Sequence, residues 1–435
     1  MKVKKDWLLV LFVGVLVLIV GVGLLVKPLV EKEGELARFP DRGVPRMNIT
    51  LNGVSLDEIK AGSKETKYEG NELSLYEGDE MKEFGGVEVK GRGNSTWMQE
   101  KKPYQIKFSQ KVDLLGMGKN KKWVLLANYL DKSLIRNDVA MLLAEMLETE
   151  YNVKGRFVEV YFNGEYEGLY YVLPKIEIAK GSVDLKEPDG VLFELDTLHR
   201  HAGGCYESYL KECLILKDTV TKEQDIAQVM AINFMEDFND FEKAIKQGDY
   251  KKVTELIDIN SFVRYFLVNE FTVNPDAYSS SFYLYKDGAD SKIYAGPVWD
   301  FDLALGNRAW NWQVDEDFFS VEEEMVRKKE AFGLEGLNED LVISKIFYYL
   351  EEMPRFRGEL MLTFQGRLSG RKSEFIEKIR REVEKIRIAM VIDNEKWGIE
   401  KSETDLEELI EWVAKRYDFF EKVYGSNDDK ENKLL

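Results

Sequence analysis

Residues 274–302 read NPDAYSSSFYLYKDGADSKIYAGPVWDFD, and this stretch decides how the chain is organised. Runs rich in aromatic and aliphatic residues flank Asp287-Gly288-Ala289-Asp290, the signature of a hairpin. With the turn centred near residue 289, reflection sets Asp276 opposite the Asp300–Asp302 end, across strands about 4.8 Å apart. Period-two alternation through Trp299-Asp300-Phe301-Asp302 puts both carboxylates on one face and both rings on the other. Three acids at a strand end repel unless a cation or a proton resolves them. Hard oxygen donors at this density suit Mg²⁺ or Mn²⁺. Capping of the hairpin, or pairing with an arginine such as Arg308, is the alternative use of the same acids.

Upstream, MNITL, ELSLY and GVEVK alternate apolar and polar residues as short strands do. In YQIKF, Tyr104, Ile106 and Phe108 share one face and Gln105 and Lys107 the other. RFVEVYFNGEYEGLYYVL is two strands around an Asn-Gly turn. GVLFELD is a further strand. Residues 133–147 repeat apolar positions at helical spacing, 222–257 read as two helices, and 260–272 as a buried one. Beyond about residue 315 the texture is helical up to about Tyr424. The expected class is α+β, a strand-rich front followed by a helical C-terminal part.

Two further segments carry candidate chemistry. Lys90-Gly-Arg92-Gly93-Asn94-Ser95-Thr-Trp97 follows a strand, and its glycines and small polar residues offer backbone N–H groups to an anion. An ordinary turn is the plainer reading. Lys107, on the polar face of the next strand, is placed to project toward a phosphate; Lys101 and Lys102 are nearer candidates but sit at the loop, where solvated charge is the default. In WVLLANYLDKSLIRN, Asp131 or Ser133 can cap the following helix, whose first turn either leaves Arg136 on the surface or presents it to a phosphate or an acid.

The chain has 435 residues, with Lys plus Arg 61 against Asp plus Glu 79 and a net charge of −18. Such an acidic balance argues against a general nucleic-acid binder. Only two histidines, His199 and His201, and two cysteines, Cys205 and Cys213, are present, too few for a zinc site without carboxylates. The cysteines either close a small disulfide loop or remain thiols. Residues 7–26 hold no charge, and twenty residues of helix span about 30 Å, one bilayer core. Lys2, Lys4 and Lys5 precede the run, which favours an uncleaved signal anchor with the bulk of the chain outside the cytoplasm. A cleaved signal peptide is the alternative. The expected division is a cytoplasmic tip and anchor over 1–27, a linker over 28–45, the folded domain over 46–424 and a frayed tail over 425–435.

Together the motifs RGNSTW…KKPYQIKF, WVLLANYLDKSLIRN, FNGEYEGLYYVL, NPDAYSSSFYLYKD and GPVWDFDLALGN resemble, in order and spacing, the CotH family of spore-coat-type proteins. The resemblance spans about residues 44–308. It implies an atypical protein-kinase-like fold that uses ATP and Mg²⁺ or Mn²⁺ to phosphorylate Ser or Thr of secreted, surface or coat proteins. By resemblance, Asp276 is the catalytic aspartate and Asp300 the metal-binding one, with Asp302 as its helper. Lys107 corresponds to the phosphate-binding lysine and Arg92–Ser95 to the phosphate loop. Ser281 stands where a kinase-like site has a metal-binding Asn, and Pro174 and Glu177 lie in a strand-end segment where the family often has a Glu. An inactive member acting in surface or coat assembly is the second expectation. An enzyme acting on a surface polymer is the third.

Overall fold

The computed structural model describes residues 38–196, 204–307, 344–399 and 402–425. The front half is a closed barrel. Its strands are β1 (Arg46–Thr50), β2 (Tyr68–Glu77), β3 (Glu80–Gly91), β4 (Tyr104–Asp113), β5 (Lys119–Leu126), β6 (Arg156–Phe162) and β7 (Glu165–Pro174). The order is β1-β2-β3-β4-β5-β7-β6, closed by parallel pairing of β1 with β6. Alternate residues such as Met47, Val89, Ile106, Trp123 and Val172 fill the interior, as the period of two requires. The Asn-Gly turn between β6 and β7 places Asn163 at φ 52° and Gly164 at φ 81°, the backbone that a two-residue hairpin needs. A short helix, α1 (Leu56–Ala61), opens on a reciprocal Ser55–Glu58 capping box.

The rest surrounds a five-stranded sheet. Helix α2 (Arg136–Met146) packs beneath the barrel, followed by β8 (Val191–Leu195), β9 (Tyr206–Glu207) and β10 (Cys213–Thr219). Then come α3 (Gln224–Gln247), α4 (Tyr250–Leu256), α5 (Ile259–Thr272), β11 (Phe282–Lys286) and β12 (Tyr294–Ala295). The described chain ends in α6 (Ile346–Glu351), α7 (Pro354–Arg367), α8 (Lys372–Trp397) and α9 (Ser402–Tyr424). The sheet order is β12-β11-β8-β10-β9. Helix α5 is buried from Tyr265 to Thr272 on every face, polar Asn269, Glu270 and Thr272 included, the mark of a central helix. The mixed α+β class is as expected, with strands in front and helices behind.

Three expectations need amendment. The last hairpin is short: β11 and β12 pair through Leu284↔Ala295 and Tyr285↔Tyr294 only. Pro297 has no N–H to donate, and Asp300 turns into the left-handed region at φ 69°, so WDFD is not strand. Residues 38–45, given to the linker, pack on the barrel: Phe39 is buried against Tyr76 and Tyr161, and Arg42 pairs with Glu159 at 2.6 Å. Lys101, expected at a solvated loop, is fully buried against Asp393. The cysteines are joined, Cys205 to Cys213, with Cα atoms 5.4 Å apart. The 7–26 segment, the histidines, Arg308 and residues 426–435 lie outside the described residues, among which no helix is long and apolar enough to cross a membrane.

Candidate active site

The acids meet by a different route from strand pairing. Helix α5 ends at Val273 in the left-handed conformation, with Pro275 ruling out its continuation, and delivers Asn274 and Asp276. Asn274 Nδ2 donates to the Asp300 carbonyl at 3.2 Å, and Asn274 Oδ1 accepts from the Asp276 amide at 3.2 Å. One amide side chain thus ties the Asp276 turn to Asp300. The carboxylate of Asp276 makes no hydrogen bond or ion pair among the described residues.

The Asp300 segment is clamped from both sides. The Phe301 amide donates to Asn137 Oδ1 at 2.9 Å, Asn307 Nδ2 to the Asp302 carbonyl at 2.6 Å, and the Leu305 amide to the Thr272 carbonyl at 2.7 Å. Trp299 and Phe301 are buried while Asp300 and Asp302 are half-buried. The side chains therefore alternate as expected, although the backbone is irregular. Ser281, Val273 and Leu305 also hold positive φ. Such backbone persists where surroundings over-determine it, and it clusters at functional sites.

Charge is concentrated here. Burial pushes the Asp300 carboxyl up to about 6, helped by the neighbouring Asp276, while Arg92 pulls it down. Burial, then Asp300 and Asp276, hold Asp302 well above the usual carboxylate range. Arg92 projects over the Trp299 ring, 5.6 Å from its centroid, and its Nη1 is buried with no hydrogen-bond partner. Glu194 of β8 faces the same space, beside Tyr283 and Arg92. Lys175, where β7 ends, is half-buried and makes no ion pair among the described residues. Its pKa is lowered by burial first and then by Lys122, with Arg92 also nearby.

The other expected residues fall into place unevenly. Lys107 is on the outer face of β4 as the alternation requires, but it sits 3.5 Å from Glu88 and is 39% exposed. The cation acting on Asp300 is Arg92, not Lys107. Arg136 is not available to a phosphate: it pairs with Asp131, and it donates to Ser133 Oγ at 3.0 Å and to the Ala304 carbonyl at 3.1 Å. Asp131 caps α2 by accepting from the Arg136 amide at 2.8 Å. Lys102 donates to the Trp97 and Gln99 carbonyls at 2.7 and 3.0 Å, closing the loop rather than facing a ligand. Gly93 adopts φ 81°, and its carbonyl and the Asn94 side chain both accept from Lys64 at 2.6 Å. Asn94 and Ser95 are exposed at the rim, and Ser281 is half-buried. Asn274, Glu194 and Lys175 were not singled out from sequence. Only the Asn-Pro-Asp spacing and the Pro-Lys that ends a strand pointed toward two of them.

Mg²⁺ commonly takes one or two carboxylates with phosphate oxygens completing its shell. Asp300 and Asp302, whose ionisation a cation would ease, fit that demand. Among the described residues no three His, Cys, Asp or Glu side chains are gathered as a ready-made metal cage.

The family model described as CotH kinase protein matches residues 89–420. The chain belongs to the CotH family. It is 25% identical over 241 residues to the inner spore coat protein H of Bacillus subtilis (strain 168), covering 53% of this chain and 62% of that protein. Among solved structures it is similar to the Helicobacter pylori proinflammatory kinase CtkA, at 9% identity with a TM-score of 0.27, over 78% of this chain and 94% of that one. It is also similar to the Shewanella oneidensis MR-1 HipA, HipB and operator DNA complex, at 10% identity with a TM-score of 0.26, over 72% and 63%.

Proposed function

We propose that this CotH protein is an ATP- and Mg²⁺- or Mn²⁺-dependent kinase of atypical protein-kinase-like fold that phosphorylates Ser or Thr of secreted, surface or coat proteins. The observation that supports it is the meeting of Asp276, Asp300 and Asp302 with Arg92, whose buried Nη1 lacks a partner. Phosphoryl transfer asks a protein mainly for positioning and charge neutralisation. A bound divalent ion supplies charge neutralisation on phosphate oxygens, and Asp300 and Asp302, with the Ser281 hydroxyl, are the residues that would hold it. Asp276, with its free carboxylate, orients the acceptor hydroxyl and takes its proton. Arg92 and Lys175 supply fixed positive charge for the phosphates, the role first expected of Lys107. The buried rings of Trp299 and Phe301 anchor the segment that carries the two acids in the core.

The Cys205–Cys213 bridge fits an oxidising compartment, and the uncharged run at 7–26 fits a single-pass anchor with the bulk of the chain outside. The test incubates the protein with labelled ATP, Mg²⁺ or Mn²⁺ and a Ser-rich acceptor. Asp276→Asn should cut transfer at least about 100-fold while leaving the metal-dependent thermal shift with ATP. A second reading, an inactive member in coat or surface assembly, is favoured by Ser281 at the second metal position. It predicts no transfer by the natural protein.

A further inference from the structure

A cleft of about 560 Å³ opens apart from the residues of the candidate active site. It lies between residues 43–45, the turn 115–117, the loop 152–157, Asp138 of α2 and the Glu382–Ile386 face of α8. Its volume is in the range that holds small ligands. None of the residues that carry the kinase reading lines it.

The polar floor is lopsided. Asp138 is 2% exposed; its Oδ1 accepts from the Tyr171 hydroxyl at 3.0 Å, and its Oδ2 is buried without a partner. Asn152 Nδ2 donates to the Met141 carbonyl at 2.9 Å, which fixes the amide orientation and leaves Oδ1 buried without a partner. Both orphaned atoms are acceptors. Buried acceptors call for donors, and an ammonium carries three N–H groups and no lone pair. The protein's own cations are engaged at the mouth: Lys385 with Glu382 at 2.8 Å, Lys154 with Glu145 at 3.6 Å, and Arg156 with the Leu115 carbonyl at 3.1 Å. Those charges disfavour a bare polycation and suit a carboxylate or carbonyl next to the ammonium. Val44, Leu115, Phe157 and Ile386 add buried apolar walls.

We propose that this cleft binds the α-ammonium of an apolar amino acid or of a peptide N-terminus, with Asp138 and Asn152 as its acceptors. Burial holds the Asp138 carboxyl up at about 6; Lys154, Lys385 and the Tyr171 hydroxyl pull it down, and Glu382 pushes it up. An ammonium favours the ionised carboxyl, so the ligand must displace a proton below that pH and none above it.

The test is calorimetric titration of the full-length protein in detergent, without nucleotide, with L-leucine, N-acetyl-L-leucine and the tripeptide Leu-Gly-Gly. Leucine or the tripeptide should bind with a millimolar or tighter constant, and N-acetyl-leucine at least about tenfold more weakly. Tighter binding of the tripeptide assigns a peptide terminus; tighter binding of leucine assigns the free amino acid. Affinity should fall at least about threefold from about pH 7.5 to about pH 5. Asp138→Asn should weaken binding at least about tenfold. If that variant does not fold, the N-acetyl and pH arms decide. Absence of binding by leucine and the tripeptide, equal binding of the acetylated probe, or a folded Asp138→Asn protein that binds unchanged would overturn the assignment. Kinase assays are not involved, so the outcome is independent of the activity proposed for the other cleft.

Discussion

Asp393→Ala should destabilise the protein by about 3–5 kcal/mol, because it breaks a buried ion pair by removing one partner. Lys101, eight residues after Gly93, and Asp393, on α8, are both inaccessible to solvent. The carboxylate accepts from Lys101 at 2.8 Å and from the Leu169 amide at 2.6 Å, and Lys101 also donates to the Leu169 carbonyl at 2.7 Å. Burial drags the Lys101 pKa down, and Asp393 is the first group that holds it up. Without Asp393 the ammonium keeps one carbonyl and the face of Tyr170, and the Leu169 amide loses its acceptor. The orphaned amide alone costs about 1–3 kcal/mol, overlapping with the cost of the charge. Against a total stability of about 5–15 kcal/mol, the urea midpoint should move far down. The double variant Lys101→Met with Asp393→Leu, which removes both charges, should recover most of the loss. A single variant within about 1 kcal/mol of the natural protein, or a double variant worse than the single, would refute the reasoning.

Four other outcomes are expected. The folded Asp300 pKa of about 6 lies above its unfolded value, so stability should fall as pH rises from about 4 through about 6. Asp276→Asn removes one cause of that rise and should flatten the dependence, read by thermal unfolding at about pH 5 and about pH 7.5. Arg136→Ala strands the buried Asp131 and frees the Ala304 carbonyl, so it should cost about 3 kcal/mol by urea denaturation and weaken the thermal response to ATP with Mg²⁺. Replacing Cys205 and Cys213 by Ser should cost about 2–3 kcal/mol, the value for so short a loop, with the loss matched by adding reductant to the natural protein.

Most strands of the barrel were legible because they alternate cleanly and their tightest turn carries Asn-Gly, so local chemistry and global fold agree there. The helices from α3 to α5 were legible for the same reason. Strand β5 was not read as a strand, and the closure through parallel β1 and β6 left no local signal. The site was legible only in outline. Asp276 and Asp300 do act on one another, but through α5, Pro275 and Asn274 rather than across a ribbon. A reflection argument assumes that the ladder continues, and Pro297 together with the left-handed Asp300 ends it. Positive charge was the hardest to assign. Lys107, Lys102 and Arg136 look alike in sequence, yet Glu88, two carbonyls and Asp131 respectively occupy them. Which cations stay free depends on partners distant along the chain, and periodicity carries no information about those.

The partner that neutralises Lys101 is added 292 residues later. At about 5–20 residues per second, that interval lasts roughly 15–60 s. Throughout it the nascent barrel carries an ammonium that cannot bury itself cheaply. The buried pair therefore cannot form before α8 has been translated, which makes this contact between barrel and helix a late step in the folding of the domain.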